Sequence, residues 1–95
     1  MRIKTSELIG DSLDRVVLQL DAENPSCGFY SSDWADGGPI IEREGIDLYQ
    51  SGTWAAEMVK GEDVIRTEGP TPLIAAMRCY VASRLGDEVE VPEGV

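Results

Sequence analysis

Two carboxylates bracket a tryptophan in Asp33-Trp34-Ala35-Asp36, two glycines and a proline follow in Gly37-Gly38-Pro39, and Glu42 and Glu44 come next. Carboxylates placed this close can move protons or hold a hard cation such as magnesium. The spacing is a weak signal for either role. With 18 Asp and Glu among 95 residues, close pairs arise by chance, and Glu42 and Glu44 fall on different sides of a helix. The chain has no histidine, which removes the usual base near neutral pH and rules out Ser-His-Asp or Cys-His machinery within one chain. Cys27 and Cys79 are too far apart in sequence to supply a zinc site. Gly37-Gly38-Pro39 lacks the lysine and the strand-to-helix setting of a phosphate loop. The expectation is a protein that is not an enzyme, with no catalytic residue, no metal ligand and no cofactor.

Binding is the chemistry that remains. The segment Tyr30–Pro39 reads as a loop carrying a large aromatic, two acids and two glycines, and loops of that kind carry function more often than framework does. Asp33, Trp34, Asp36, Gly37 and Gly38 are therefore the candidate contact residues. Trp34 is either a binding anchor or a plug for one end of a small core. Asp33 is either a contact or the cap of the segment that follows. Arg78 completes the candidate set. Lying beside the apolar stripe of the last helix, it can receive an anion, pair with Asp33 or Asp36, or run along the helix edge with its head in water. Cys79 reads as a small core residue, because no base or cation cluster accompanies it.

Charge narrows the partner. Eighteen acids face eight Lys and Arg, for a net charge of -10, and the basic residues form no run. Direct binding to nucleic acid or to an anionic membrane is disfavoured, whereas a protein partner with a basic surface is compatible. Met1-Arg-Ile-Lys-Thr-Ser lacks an apolar signal core, and no apolar run reaches bilayer length. Reduced thiols in a cytoplasm are the expectation.

The elements that must position these residues are few. The predicted fold class is α+β, one small domain over residues 1–95, with two main helices on a short antiparallel sheet. Thr5-Ser-Glu-Leu8 signals a first helix with Leu13, Val16, Val17 and Leu20 inward, although Gly10 can delay its regular part; it should end near residues 21–23. Asn24 to Ser32 reads as a loop. Asp36-Gly-Gly-Pro39 reads as a break, with a short helix from Pro39 to Glu44 ended by Gly45. Ile46, Leu48 and Tyr49 lead to a turn at Ser51-Gly52. Trp54–Val59 and Val64–Glu68 read as strands around a loop at Lys60-Gly61, pairing Glu57 with Val64 and Ala56 with Ile65. Trp54, Ala56, Met58 and Ile65 then share the core face, and Glu57 and Arg66 the other, as diagonal neighbours. The last helix starts at Thr71 and Pro72 and carries Leu73, Ile74, Met77, Tyr80, Val81 and Leu85 as one stripe. Gly86 suits a left-handed stop, and residues 86–95 form an acidic tail, either an edge strand or free.

Three blocks carry a family resemblance: Lys4-Thr-Ser-Glu-Leu8 with its helix, Asp33-Trp34 through Glu44, and Gly69-Pro-Thr-Pro-Leu-Ile-Ala-Ala-Met-Arg-Cys79 through Pro92. The chain resembles the NinX-like phage proteins, accessory proteins of temperate bacteriophages. The resemblance implies a phage origin and a host-cytoplasmic setting, and brings no catalytic residues. Relatives carry longer loops before the Asp-Trp block and before the Trp54 strand, and a tryptophan where this chain has Arg15. The reading that follows is a non-enzymatic phage accessory protein that binds a macromolecule, an acidic blocker of a basic site on a host defence protein. The alternative is a protein that sequesters a nucleotide-type signal, with Trp34 stacking and Arg78 or Arg66 on phosphate.

Overall fold

The computed structural model describes residues 2–20 and 29–91. In chain order they form β1 (Arg2–Lys4), a 3-10 turn (Thr5–Glu7), α1 (Gly10–Leu20), α2 (Trp34–Glu44), β2 (Asp47–Ser51), β3 (Thr53–Lys60), β4 (Asp63–Gly69), α3 (Pro72–Leu85) and β5 (Glu88–Glu90). The class is α+β. One antiparallel sheet has the order β2-β3-β4, and β1 and β5 make a separate two-stranded ribbon.

Helix α3 is the axle of the molecule. Thr71 caps it, accepting from the Ile74 N–H at 3.2 Å, and Pro72 occupies the first turn, where its missing N–H costs nothing. Every residue from Leu73 to Val81 is buried, so the helix is apolar all round rather than striped. It packs against the sheet, α1, α2 and the 3-10 turn, which explains burial on every side. The predicted inward Leu85 is instead 48% exposed, because the helix has passed the end of its neighbours there. Gly86 does terminate it, with φ 85° but ψ -157°, which is not the predicted left-handed stop.

Helix α1 begins at Gly10, after the separate 3-10 turn, and buries Leu13, Val16 and Val17. Its predicted end at residues 21–23, the loop from Asn24 as far as Gly28, and Cys27 lie outside the described residues. Helix α2 corrects the predicted break: Asp36-Gly-Gly-Pro39 lies inside a helix that starts five residues before Pro39. The reason is local. Asp33 caps the helix at its true start, and Gly38, lacking a Cβ, tolerates helical backbone before a proline where other residues resist it. Gly45, in left-handed conformation, ends α2 as expected. Among the described residues there are thus three helices, the two predicted main ones and an α2 longer than the predicted short helix.

In the sheet, the hairpin loop is Gly61-Glu62, one residue later than predicted, so each β3 residue pairs two positions further along β4. A shift of two preserves the faces. Ala56 and Met58 are buried against α3, with Ile65 beside them, while Glu57 lies directly opposite Arg66 rather than diagonal to it. Strand β2, expected from its sequence only as a lead-in to a turn, pairs Leu48 with Ala56 and Tyr49 with Ala55. The acidic tail takes the edge-strand option, with Val89 paired to Ile3 and buried.

Candidate functional site

The segment before α2 is tied down by acids. Asp33 Oδ1 accepts from the Ala35 N–H at 2.9 Å, and Asp36 Oδ2 accepts from the Phe29 N–H at 3.0 Å. From α1, the buried Asp14 Oδ1 accepts from the Ser31 N–H at 2.8 Å. The Asp33 and Ser32 N–H groups both donate to the Phe29 carbonyl, at 2.8 and 3.2 Å. Residues 29–33 thus form a tight turn held from two helices. Gly37 is pressed against it: a Cβ there would stand 2.5 Å from the Tyr30 carbonyl oxygen and 2.7 Å from Leu73 Cδ2. Gly38 meets no such obstacle.

This architecture decides what the candidate acids can do. Asp33 and Asp36 each spend an oxygen on a backbone N–H. Among the described residues, no three Cys, Asp or Glu side chains gather as metal ligands do. Glu42 points to solvent, whereas Glu44 accepts from Arg43 Nε at 2.9 Å and Arg84 Nη2 at 3.3 Å. Burial opposes ionisation of Glu44, but the two guanidiniums outweigh it and hold its carboxyl below the ordinary value.

Trp34, the first residue of α2, is not a core plug. It is 53% exposed and stands with the half-exposed Ile9 on a groove of about 460 Å³ floored by Leu73 and Ile74. Ser31, Ser32 and Thr71 supply the polar rim. A helix start fixed by a cap, a turn fixed by Asp14 and a glycine contact therefore present an aromatic outward.

Arg78 is elsewhere. It is buried to 9% exposure and spans the core, donating Nε to the Leu8 carbonyl and Nη1 to the Glu68 carbonyl, both at 2.8 Å. It pairs with neither Asp33 nor Asp36, and its head is not in bulk water. Burial lowers its pKa from the ordinary arginine value. Arg78 and Arg66 line one large groove of about 1080 Å³, which does not include Trp34. The candidate residues thus divide between two places: Asp33, Trp34, Asp36, Gly37 and Gly38 at the α2 start, Arg78 across the core. Cys79 is buried and its thiol is pushed up to about 11 by that burial, which a hydrogen bond with Thr67 only partly offsets.

Sequence reasoning missed Ile9 and Asp14. Ile9 gave a signal, an apolar residue just ahead of the helix-delaying Gly10. Asp14 gave none, because an acid between apolar helix positions ordinarily faces water.

A family model described as Bacteriophage P22, NinX matches residues 22–84. The chain belongs to the phage P22 NinX family. No curated protein matches it. The NinX match takes in α2, the whole three-stranded sheet and α3 as far as Arg84, so both helical walls of the Trp34 groove fall within it and Ile9 falls outside. Membership makes the chain a phage accessory protein. Among the described residues of this NinX-family protein, no helix is long and apolar enough to cross a membrane.

Proposed function

We propose that this NinX-family protein acts without catalysis, in the host cytoplasm, by binding a protein partner through the Trp34–Ile9 groove. The observation that carries this reading is Trp34 itself. A small domain with few aromatics leaves one of its two tryptophans half in water, next to another exposed apolar side chain. Tryptophans in that position are the commonest anchors of protein interfaces. Exposed acids flank the groove residues along the chain: Glu7 and Asp11 about Ile9, and Asp33 before Trp34. A partner offering an apolar side chain ringed by Lys or Arg fits both features. Blocking a basic site on a host defence protein is the specific role we favour. The nucleotide-sequestering alternative is supported only by the shared groove of Arg78 and Arg66, because its stacking residue Trp34 lines the other cavity.

The test is affinity capture from phage-infected host cells with wild type, Trp34→Ala and Ile9→Ser, each checked by circular dichroism. A partner captured by wild type should bind Trp34→Ala about 30-fold more weakly or worse, from the ~2 kcal/mol such anchors carry. It should also bind more slowly as salt rises. Full capture by folded Trp34→Ala overturns the proposed site.

A further inference from the structure

Strand β4 is the edge of its sheet, and the hairpin geometry determines which of its groups face out. The loop holds two residues, with Gly61 first at φ 65°, as a type II′ turn requires. Lys60 and Asp63 then close the hairpin as a hydrogen-bonded pair, and pairs alternate from there. Ile65 and Thr67 bond to β3, while Val64, Arg66 and Glu68 turn their N–H and C=O groups outward. An independent contact agrees with this alternation: Arg78 Nη1 reaches the Glu68 carbonyl from outside the sheet. The N–H groups of Val64, Arg66 and Glu68 and the carbonyls of Val64 and Arg66 have no partner among the described residues.

These groups border the groove of about 1080 Å³, whose opposite wall is Lys4 to Ser6 with Asp87 and Glu88. Arg78 sets its limit. Its Nη1 holds the position that the N–H of a neighbouring strand would take at Glu68, so a strand laid along Val64 and Arg66 must end there. The guanidinium forms no ion pair among the described residues, which leaves a nearly buried cation uncompensated beside that end point. A carboxylate matches its remaining N–H groups.

We propose that the groove binds the C-terminal end of an extended peptide as an added strand parallel to β4. The peptide's main chain bonds Val64 and Arg66, and its terminal carboxylate lies on Arg78. Val64 to Glu68 spans about 13 Å at strand spacing, enough for four or five peptide residues. Asp87, which makes no ion pair among the described residues, favours a basic side chain a few positions before the peptide's end.

The experiment uses the full chain and a random pool of pentapeptides, once with free C-termini and once amidated. Free-acid binders should be enriched, and amidation of a selected binder should weaken it at least 10-fold. Arg78→Gln should do the same. Since Arg78 also holds the core, Val64→Pro provides a second route: its N–H faces outward, so the β3–β4 ladder survives while strand addition is blocked. Trp34→Ala should bind the peptide normally, which separates this groove from the function proposed above. Equal binding of acid and amide pools, no enrichment in either, or a binder indifferent to Val64→Pro overturns the proposal. A dimer in solution that Val64→Pro dissolves assigns the edge to a second copy and overturns it equally.

Discussion

Replacing Gly37 by alanine puts a single methyl against the part of the fold that presents Trp34. In an open helix the change would stabilise by about 0.5–1 kcal/mol, because glycine loses more backbone freedom on folding. Here the new Cβ would meet the Tyr30 carbonyl oxygen at 2.5 Å and Leu73 Cδ2 at 2.7 Å. The leucine methyl can swing aside. The carbonyl cannot move alone, because its neighbours on either side are tied, Phe29 N–H to Asp36 and Ser31 N–H to Asp14. Either α2 lifts off α3 or one of those bonds breaks. Overpacking of this kind costs about 1–3 kcal/mol, and loosening a charge-assisted bond adds to it. Net of the propensity gain, Gly37→Ala should destabilise by about 1–3 kcal/mol, or roughly 4–8 °C in Tm per kcal/mol for a domain of this size. Gly38→Ala is the comparison. Its Cβ meets nothing within 4 Å, and the propensity gain is set against the clash imposed by Pro39, so the net change should stay within about 1 kcal/mol. Urea unfolding at equal m-values measures both. A Gly37→Ala protein as stable as wild type would refute the close approach, and with it the claim that the turn holding Trp34 is rigid.

Met77 is fully buried, so Met77→Ala should cost about 2–5 kcal/mol by urea unfolding. The Tyr30 hydroxyl is buried without a hydrogen-bond partner among the described residues, so Tyr30→Phe should leave stability unchanged or raise it by about 1 kcal/mol; a loss of that size would reveal a partner. Glu44 has a folded pKa below its ordinary 4.5, so its pairing with Arg43 and Arg84 stabilises fully above the unfolded pKa and is lost as pH falls through the folded one. The stability gap between wild type and Glu44→Gln should be constant from about pH 6 to 8 and close in acid below about pH 4.5. With its thiol pushed up to about 11, Cys79 should resist iodoacetamide at pH 8 in the native state and react on unfolding in urea, as mass spectrometry would show.

The best-read elements are those whose signals are local. Thr71 and Pro72 mark the start of α3 by chemistry confined to one turn, and the face of the β3–β4 hairpin survives an error of register because the slip was two residues. The failures come from context. Pro39 and its glycines carry break signals that hold for an isolated segment, but the Asp33 cap and the Gly37 contact with Tyr30 recruit them into α2. Strand β2 has little alternation of its own and exists because β3 offers an unpaired side. The single-stripe reading of α3 failed because alanines and Cys79 between its large residues look neutral in sequence, yet they allow neighbours to close in on all sides.

The candidate site was legible in the residues around Trp34, with Arg78 lying elsewhere, and not in its wiring. Trp34 was named from its acidic, glycine-rich surroundings, and it does face outward. The acids that drew attention to it are mostly engaged: Asp33, though exposed, and Asp36 hold backbone N–H groups, as does Asp14, and Glu44 is shared between two arginines. On the sheet, Glu57 and Glu68 are occupied by Arg66. A net charge of -10 therefore overstates what a partner meets at any one place. Glu7 and Asp11 differ, being exposed and in no ion pair among the described residues, and they stand in the chain on either side of Ile9. If the Trp34–Ile9 groove receives a basic partner, these two carboxylates should carry the salt dependence of its association. Glu7→Gln with Asp11→Asn should then flatten the response of the association rate to salt while leaving dissociation, set by the apolar anchor, nearly unchanged. An association rate as salt-sensitive as wild type in that double variant would place the attraction elsewhere on the surface and detach the charge of the protein from the groove.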